Sequence, residues 1–380
     1  MTGPQAGFER RIQSALEASP SRIPVILGGC GSGRTSLLHS LRGHGAAQYI
    51  DVERSATTPE RFLAAVIASS PFPWHEAGVP SSAREAFDRL LAFFDGARTA
   101  THEPCTFLLD EVLELRTFES FPGLRHVLRD LLDGLAASPN RFVLTTRYAS
   151  RAHRLLRDAT ARFEVLHVPP MSPADVTGAL APAFNNYEQM ATEDRDYLGR
   201  AVQALTDGRA SYVRAIGETM SQMGRGSDPI SALAALLSPG GALAERCRYC
   251  YELRLHRARG YGALKAILDI LADDEPLTLT EISQRLHRTP GSTKDYLSWL
   301  EDVDLVASRQ KRYSFTDPVL RLWVRLHCRP TPPSPEDVAR EVQQYAAARV
   351  PPPEPAPALA YAGVDPTPEE RKSWGIIEID

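Results

Sequence analysis

Lysine is nearly missing from this chain. Of 43 basic residues only Lys265, Lys294, Lys311 and Lys372 are lysine, so any cation needed upstream of Lys265 must be an arginine. Cysteine is sparse and odd in number, at five. One pair, Cys247-Arg-Tyr-Cys250, has metal-like spacing, but the second ligand pair of a tetrahedral zinc site is lacking and no histidine pair stands at a matching interval, so no metal site is expected there. No apolar run approaches bilayer-spanning length. The first residues, Met1 to Leu16, carry Glu9, Arg10 and Arg11 in a helical pattern and do not resemble a secretory signal; a cytoplasmic chain without membrane association is expected. A net charge of −4 provides no general attraction to polyanions, so any such binding must come from a local patch. What remains is ordinary globular material: 380 residues with 43% hydrophobic and 24% charged content leave room for two or three domains.

Within that background one segment stands out. Gly28-Gly29-Cys30-Gly31-Ser32-Gly33-Arg34-Thr35-Ser36 fits the phosphate-binding loop G-x-x-x-x-G-K-[ST] at every position except the lysine, which is Arg34. An apolar strand, Ile23 to Leu27, precedes it and an apolar helical run, Leu37 to Leu41, follows, which is the context the motif requires. The glycines let successive N–H groups turn inward, and the helix adds its positive end, favouring a bound di- or triphosphate. Thr35 is placed to ligate magnesium. Arg34 keeps the charge as a planar fork rather than a compact ammonium, which leaves nucleotide binding expected but hydrolysis in doubt.

Further strands are expected at Gln48 to Val52, Thr106 to Leu109, Arg141 to Thr145 and Phe163 to Val168, alternating with helices as in a mostly parallel sheet covered on both faces. Asp110 and Glu111 end the third strand as a Walker B pair, Asp110 to order magnesium and Glu111 to polarise water. Leu144-Thr145-Thr146-Arg147 ends the fourth and offers Arg147 as a γ-phosphate sensor. After Pro169-Pro170-Met171-Ser172-Pro173 only helices are expected, to about Arg259. Arg209 or Arg214, near the break at Asp207-Gly208, is in reach of a nucleotide, and Arg246, Arg248, Arg254, Arg257 and Arg259 make a basic stretch that a solvated helix face also explains. From Tyr261 a winged helix-turn-helix is expected: three helices, the second capped by Thr280 and the third beginning at Pro290, then a hairpin, Leu305 to Ser308 with Arg312 to Phe315, tipped by Arg309, Gln310 and Lys311. Thr289, Ser292, Thr293 and Lys294 decorate the recognition helix, while Asp295, Glu301, Asp302 and Asp304 dilute its field, leaving DNA and protein binding both open. Beyond Arg329 a proline-rich tail is interrupted by one helix, Pro335 to Ala348, and ends in the apolar Trp374 to Asp380. The expected division is therefore a core at 1–170, helical lid and basic connector at 171–259, winged helix at 260–329 and tail at 330–380.

These residues together resemble the STAND-type branch of AAA+ P-loop ATPases, particularly the archaeal-ATPase-like families with a C-terminal winged helix. Phe8-Glu-Arg-Arg-Ile looks like the lead-in that covers the adenine, Leu144-Thr-Thr-Arg147 like a sensor 1 motif, and Tyr313-Ser-Phe-Thr-Asp-Pro-Val-Leu-Arg-Leu-Trp323 like the signature after the wing. The resemblance implies an α/β fold with a P-loop core, helical lid and winged helix, ATP and Mg²⁺ as cofactors, and Arg162, just before the last core strand, as a finger acting on a neighbouring subunit. ATP is favoured over GTP by the lead-in, and no guanine-reading Asn-Lys-x-Asp stretch occurs. Three readings follow: a nucleotide-dependent switch with slow hydrolysis; a DNA-binding protein using its winged helix; and a scaffold that recruits a protein partner, or a second copy, through core or tail.

Overall fold

The five strands that alternate with helices in the first half of the chain form one parallel sheet, whose three central strands are apolar and buried while the two edge strands are half-buried. The structure, a computed structural model, describes residues 4–43, 46–74, 78–183, 190–224, 228–256 and 260–352. The apolar end Trp374 to Asp380, Lys372, Arg257 and Arg259 lie outside the described residues. Helix α1 (Pro4–Glu17) leads into β1 (Ile23–Leu27), α2 (Arg34–Arg42), β2 (Ala47–Asp51), the short α3 (Val52–Ser55), α4 (Pro59–Ala68), α5 (Ala83–Gly96), β3 (Thr106–Asp110), a 3-10 segment (Val112–Ser120), α6 (Val127–Ala137), β4 (Arg141–Thr146), α7 (Ala149–Leu156) and β5 (Phe163–His167). The strand order is β2-β3-β4-β1-β5, every pairing parallel, with Val25 opposite Leu144 and Val165. All five residues of β1 are buried, the pattern of a central strand covered on both sides.

Alternate residues on a strand face opposite layers. Phe107 points into an aromatic cluster, stacked on Phe142 at 5.5 Å and edge-on to Phe94 at 5.0 Å, while Leu108 joins Ile12, Ile26, Leu38 and Val143 on the other face. Parallel strands deliver their carboxyl ends to one edge, so the residues after β1, β3 and β4 share a crevice.

The chain continues through α8 (Pro173–Leu180), α9 (Thr192–Thr206), α10 (Ala210–Met223), α11 (Pro229–Leu237) and α12 (Ala242–His256). Gly208, at φ +64°, makes the turn between α9 and α10; a Cβ there would meet the backbone oxygen of Met171 at 2.6 Å. The winged helix comprises α13 (Tyr261–Asp273), β6 (Leu277–Thr278), α14 (Leu279–Leu286), α15 (Pro290–Asp302), β7 (Val306–Arg309) and β8 (Arg312–Phe315), its small sheet antiparallel in the order β6-β8-β7. The cap of α14 is Thr278, not Thr280: Thr278 is extended and its hydroxyl accepts the Glu281 N–H, while the Glu281 carboxylate accepts the Thr278 N–H. Strand β6 was not expected, since two residues carry no readable period. Helix α16 (Pro318–His327) is capped by Asp317, and α17 (Pro335–Ala347) buries Val338, Val342 and Ala346 while packing on α11 and α16. The architecture is an α/β P-loop core built on a five-stranded parallel sheet, followed by a helical segment and a winged helix. No helix among the described residues is long and apolar enough to cross a membrane.

Candidate functional site

The loop Gly28 to Gly33 lies at the carboxyl edge of the sheet, and α2 begins at Arg34 with no acidic side chain in its first turn to cancel its positive end. The Thr35 hydroxyl donates to Asp110 Oδ2 at 2.7 Å, as Tyr49 does at 3.0 Å, and the Thr145 hydroxyl holds the other carboxylate oxygen. Thr35 and Asp110 are thus brought together although 75 residues separate them.

Glu111 adopts a left-handed backbone at φ +57°, a conformation that non-glycine residues reach at a cost and that clusters at functional sites. That turn sends its carboxylate, only 5% exposed, between two arginines. Arg34 donates to Oε1 and also to the Gly29 carbonyl at 3.0 Å; Arg147 approaches Oε1 through Nε at 3.1 Å and donates its backbone N–H to Oε2 at 3.0 Å. Burial works to raise the Glu111 pKa, but the guanidinium groups of Arg34 and Arg147 outweigh it and hold it below the usual carboxylate range. Arg147 also pairs with Glu53, at the head of α3. The structure therefore joins Arg34, Glu111 and Arg147 into one buried charge network. Arg162 is not part of it: at the amino end of β5 it donates to the carbonyls of Ser21 (3.0 Å), Ala136 (2.5 Å) and Ser138 (2.9 Å) in its own chain.

The lid and winged helix close over the loop. Arg209 donates to the Cys30 carbonyl at 2.7 Å and to the Thr316 carbonyl at 2.6 Å, and lies 3.5 Å from Asp317. Asp317 also accepts from Tyr212 at 2.7 Å while capping α16 through the N–H groups of Val319 and Leu320. Gly29 and Gly31 allow this approach: a Cβ on Gly29 would fall 2.6 Å from Arg209, and one on Gly31, at φ +79°, 2.6 Å from the Ser211 hydroxyl. Arg254, in the basic stretch that resembled a solvated face, is 2% exposed and donates to the Asp304 carbonyl at 2.8 Å and to Cys30 Sγ at 3.0 Å. Sequence reasoning missed Tyr49, Glu53, Thr145 and Asp317 as members of the site. The Asp-Pro of the 313–323 signature pointed toward Asp317 and the Leu144–Arg147 motif toward Thr145; nothing local marked Tyr49 or Glu53.

Beside the loop a cleft of about 390 Å³ is lined by Phe8, Gly33, Leu37, Met171, Ala210 and Arg214, within the range of small-ligand pockets. Two hydroxyls of its lining, Ser32 Oγ and Ser211 Oγ, are buried with no hydrogen-bond partner, as is Arg34 Nε at the start of α2. Unpaired hydroxyls and one unpaired guanidinium N–H around a helix start suit a phosphate, and the oxygens of Thr35 and Asp110 suit a hard cation such as Mg²⁺. The residues fit the group.

A model of winged helix-turn-helix DNA-binding domains matches residues 263–306. The chain superposes on the Walker-type ATPase of Pyrococcus abyssi with a TM-score of 0.65 at 18% identity, covering 84% of this chain and 95% of that one. The ORC2 protein of Aeropyrum pernix, solved with ADPNP and ADP, aligns with a TM-score of 0.49 at 15% identity over 90% and 93% of the two chains. No curated protein sequence matches the chain. The first likeness shows the fold, an α/β P-loop core carried together with a helical segment and a winged helix.

Proposed function

We propose that this chain binds ATP with Mg²⁺ at the phosphate loop and acts as a STAND-like, nucleotide-dependent switch with slow or impaired hydrolysis. The observation that carries the reading is Arg209, one side chain that touches both the loop, at Cys30, and the segment after the wing, at Thr316. A change of charge at the loop is thereby coupled to the seating of the winged helix. The N–H groups of Gly28, Gly29, Cys30, Gly31, Ser32 and Gly33 cradle the phosphates together with Arg34 and Ser36, Thr35 and Asp110 hold the cation, and Phe8 covers the base. Bound Mg²⁺ supplies charge neutralisation to the triphosphate. Glu111 orients the attacking water only when its carboxylate is released from Arg34 and Arg147, and that constraint, more than any loss of affinity, is what slows turnover. In this scheme residues 1–170 hold the nucleotide, 171–259 close on it, 260–329 report it and 330–380 carry a partner-binding tail.

Magnesium-dependent ATP binding and single-turnover hydrolysis test the reading. Tight binding with slow turnover is expected, faster in Arg34→Lys and abolished in Glu111→Gln; failure of the native chain to bind ATP would sink it.

A second reading, DNA binding, is favoured by the match over residues 263–306 and by the open groove at the start of α15, lined by Gln284, His287, Arg288, Thr289 and Ser292. Duplex affinity that falls steeply with salt supports it, and a flat salt response with Arg288→Ala unchanged rejects it.

A further inference from the structure

The switch scheme makes no use of the cysteine side chains, yet two of them meet at its centre. Cys30 Sγ, on the phosphate loop, lies 2.9 Å from Cys250 Sγ on α12, across 220 residues of sequence. A bonded pair stands at about 2.05 Å, so small side-chain adjustments bring these sulfurs to bonding distance. Cys30 is partly exposed, while Cys250 is buried behind it. We propose that Cys30 and Cys250 are a two-thiol oxidation site for hydroperoxides, Cys30 as the attacked sulfur and Cys250 as the resolving one, whose disulfide clamps the phosphate loop to α12.

The surroundings favour this order of events. The two thiols share a hydrogen bond, and the guanidinium groups of Arg254, Arg147 and Arg34 add to it, holding the Cys30 thiol well below its ordinary range against the opposing effect of burial. The other cysteines are the reverse case: burial pushes the Cys105 and Cys328 thiols up to about 11 and raises Cys247 well above its usual value. The thiolate is the nucleophile toward a peroxide, so oxidation is directed to Cys30. In the first step Cys30 sulfur attacks hydrogen peroxide, the O–O bond breaks, and Cys30 sulfenic acid and one water result. In the second, Cys250 sulfur attacks the sulfenic sulfur, the S–O bond breaks and the hydroxyl leaves with the Cys250 proton as a second water. Two thiols lose two electrons in all, and one peroxide is reduced to two waters. A dithiol reductant reverses the bond by exchange.

The clamp has a mechanical consequence. Arg254, one turn beyond Cys250 on α12, is bonded to the Asp304 carbonyl at the end of the recognition-helix segment. A Cys30–Cys250 bond therefore ties the loop to the helix that also secures the winged helix, and holds the closed arrangement.

The test uses the full-length protein, reduced and then treated with hydrogen peroxide, with free thiols counted and a non-reducing digest mapped by mass spectrometry. Loss of two thiols and a Cys30–Cys250 linked peptide lacking two hydrogens is the expected result. Cys250→Ser, or Cys250→Ala should the serine variant fold poorly, is expected to give no such peptide and to let Cys30 run on to the sulfinic acid. A link to any other cysteine, or Cys30 oxidising no faster than Cys105, overturns the inference. A second readout rests on the proposed nucleotide site: release of a fluorescent ATP analogue is expected to slow about tenfold or more on oxidation, as for a lid that cannot open, and to recover with dithiothreitol. The same measurement on Cys250→Ser is expected to show native release when reduced and no response to peroxide. An unchanged rate in the linked protein overturns the clamp. Should no analogue bind even to the reduced protein, the ATP reading fails while the peptide map still decides the redox one.

Discussion

Replacing Arg34 by alanine removes one of two cations from a carboxylate that is almost wholly enclosed. Glu111 would retain Arg147, through Nε at 3.1 Å and the backbone N–H at 3.0 Å, but lose the Arg34 guanidinium, and the Gly29 carbonyl would lose a donor. Breaking a buried pair by deleting one partner costs roughly 3–5 kcal/mol, and with Arg147 still in place about 2–3 kcal/mol is expected. With a urea slope of about 3 kcal/mol/M that becomes a midpoint shift of about 1 M, read by far-ultraviolet circular dichroism at pH 7. The effect carries a pH signature. The native Glu111 pKa is depressed, so its contribution is present above the unfolded value of about 4.3 and is lost as pH falls through the folded value. In Arg34→Ala, burial with one cation fewer raises that pKa, so the gap between native and variant stays constant from pH 8 to about pH 5 and narrows below. Adding Glu111→Gln removes the buried charge itself, and the double variant is expected to regain about half of the loss, because an amide needs no cation. A midpoint shift below about 0.3 M at pH 7, or a gap that does not narrow in acid, would refute the account of Arg34 and Arg147 as joint holders of Glu111.

Asp317→Ala removes the cap of α16, leaves the Tyr212 hydroxyl without its acceptor and takes the carboxylate from beside Arg209, which keeps the Cys30 and Thr316 carbonyls; a loss of about 2–4 kcal/mol is expected in denaturant unfolding, and less than about 1 kcal/mol would show that the wing and the α9–α10 segment are held by packing alone. Gly31→Ala places a Cβ 2.6 Å from Ser211 Oγ at a positive φ, and is expected to lower both the thermal midpoint and nucleotide affinity, each checked on the same preparation by thermal shift and fluorescence titration. Thr278→Ala is expected to cost about 1 kcal/mol and Thr280→Ala close to nothing, since Thr278 makes the capping box; the reverse order in paired urea melts would contradict the cap assignment.

The sequence by itself determined the parts whose signals are local. Glycine spacing marked the loop from Gly28 to Gly33, apolar runs marked the five strands to within a residue or two, and Pro290, the hairpin around Lys311 and the 313–323 signature marked the winged helix. Such features are written in consecutive residues, since helix and strand periods and turn chemistry act over a few positions. Tertiary structure alone decided which charges meet. Nothing in the order of residues says that Arg34 turns to a carboxylate 77 positions away, that Arg254 lies on the buried side of α12 beside Cys30, or that Arg162 bonds to the Ser21, Ala136 and Ser138 carbonyls of its own chain. A guanidinium has no preferred partner in sequence; it takes the acceptor that burial leaves within reach, which for Arg34 and Arg162 is settled by the packing of the sheet domain and for Arg254 by the packing of α12 and the winged helix on the loop.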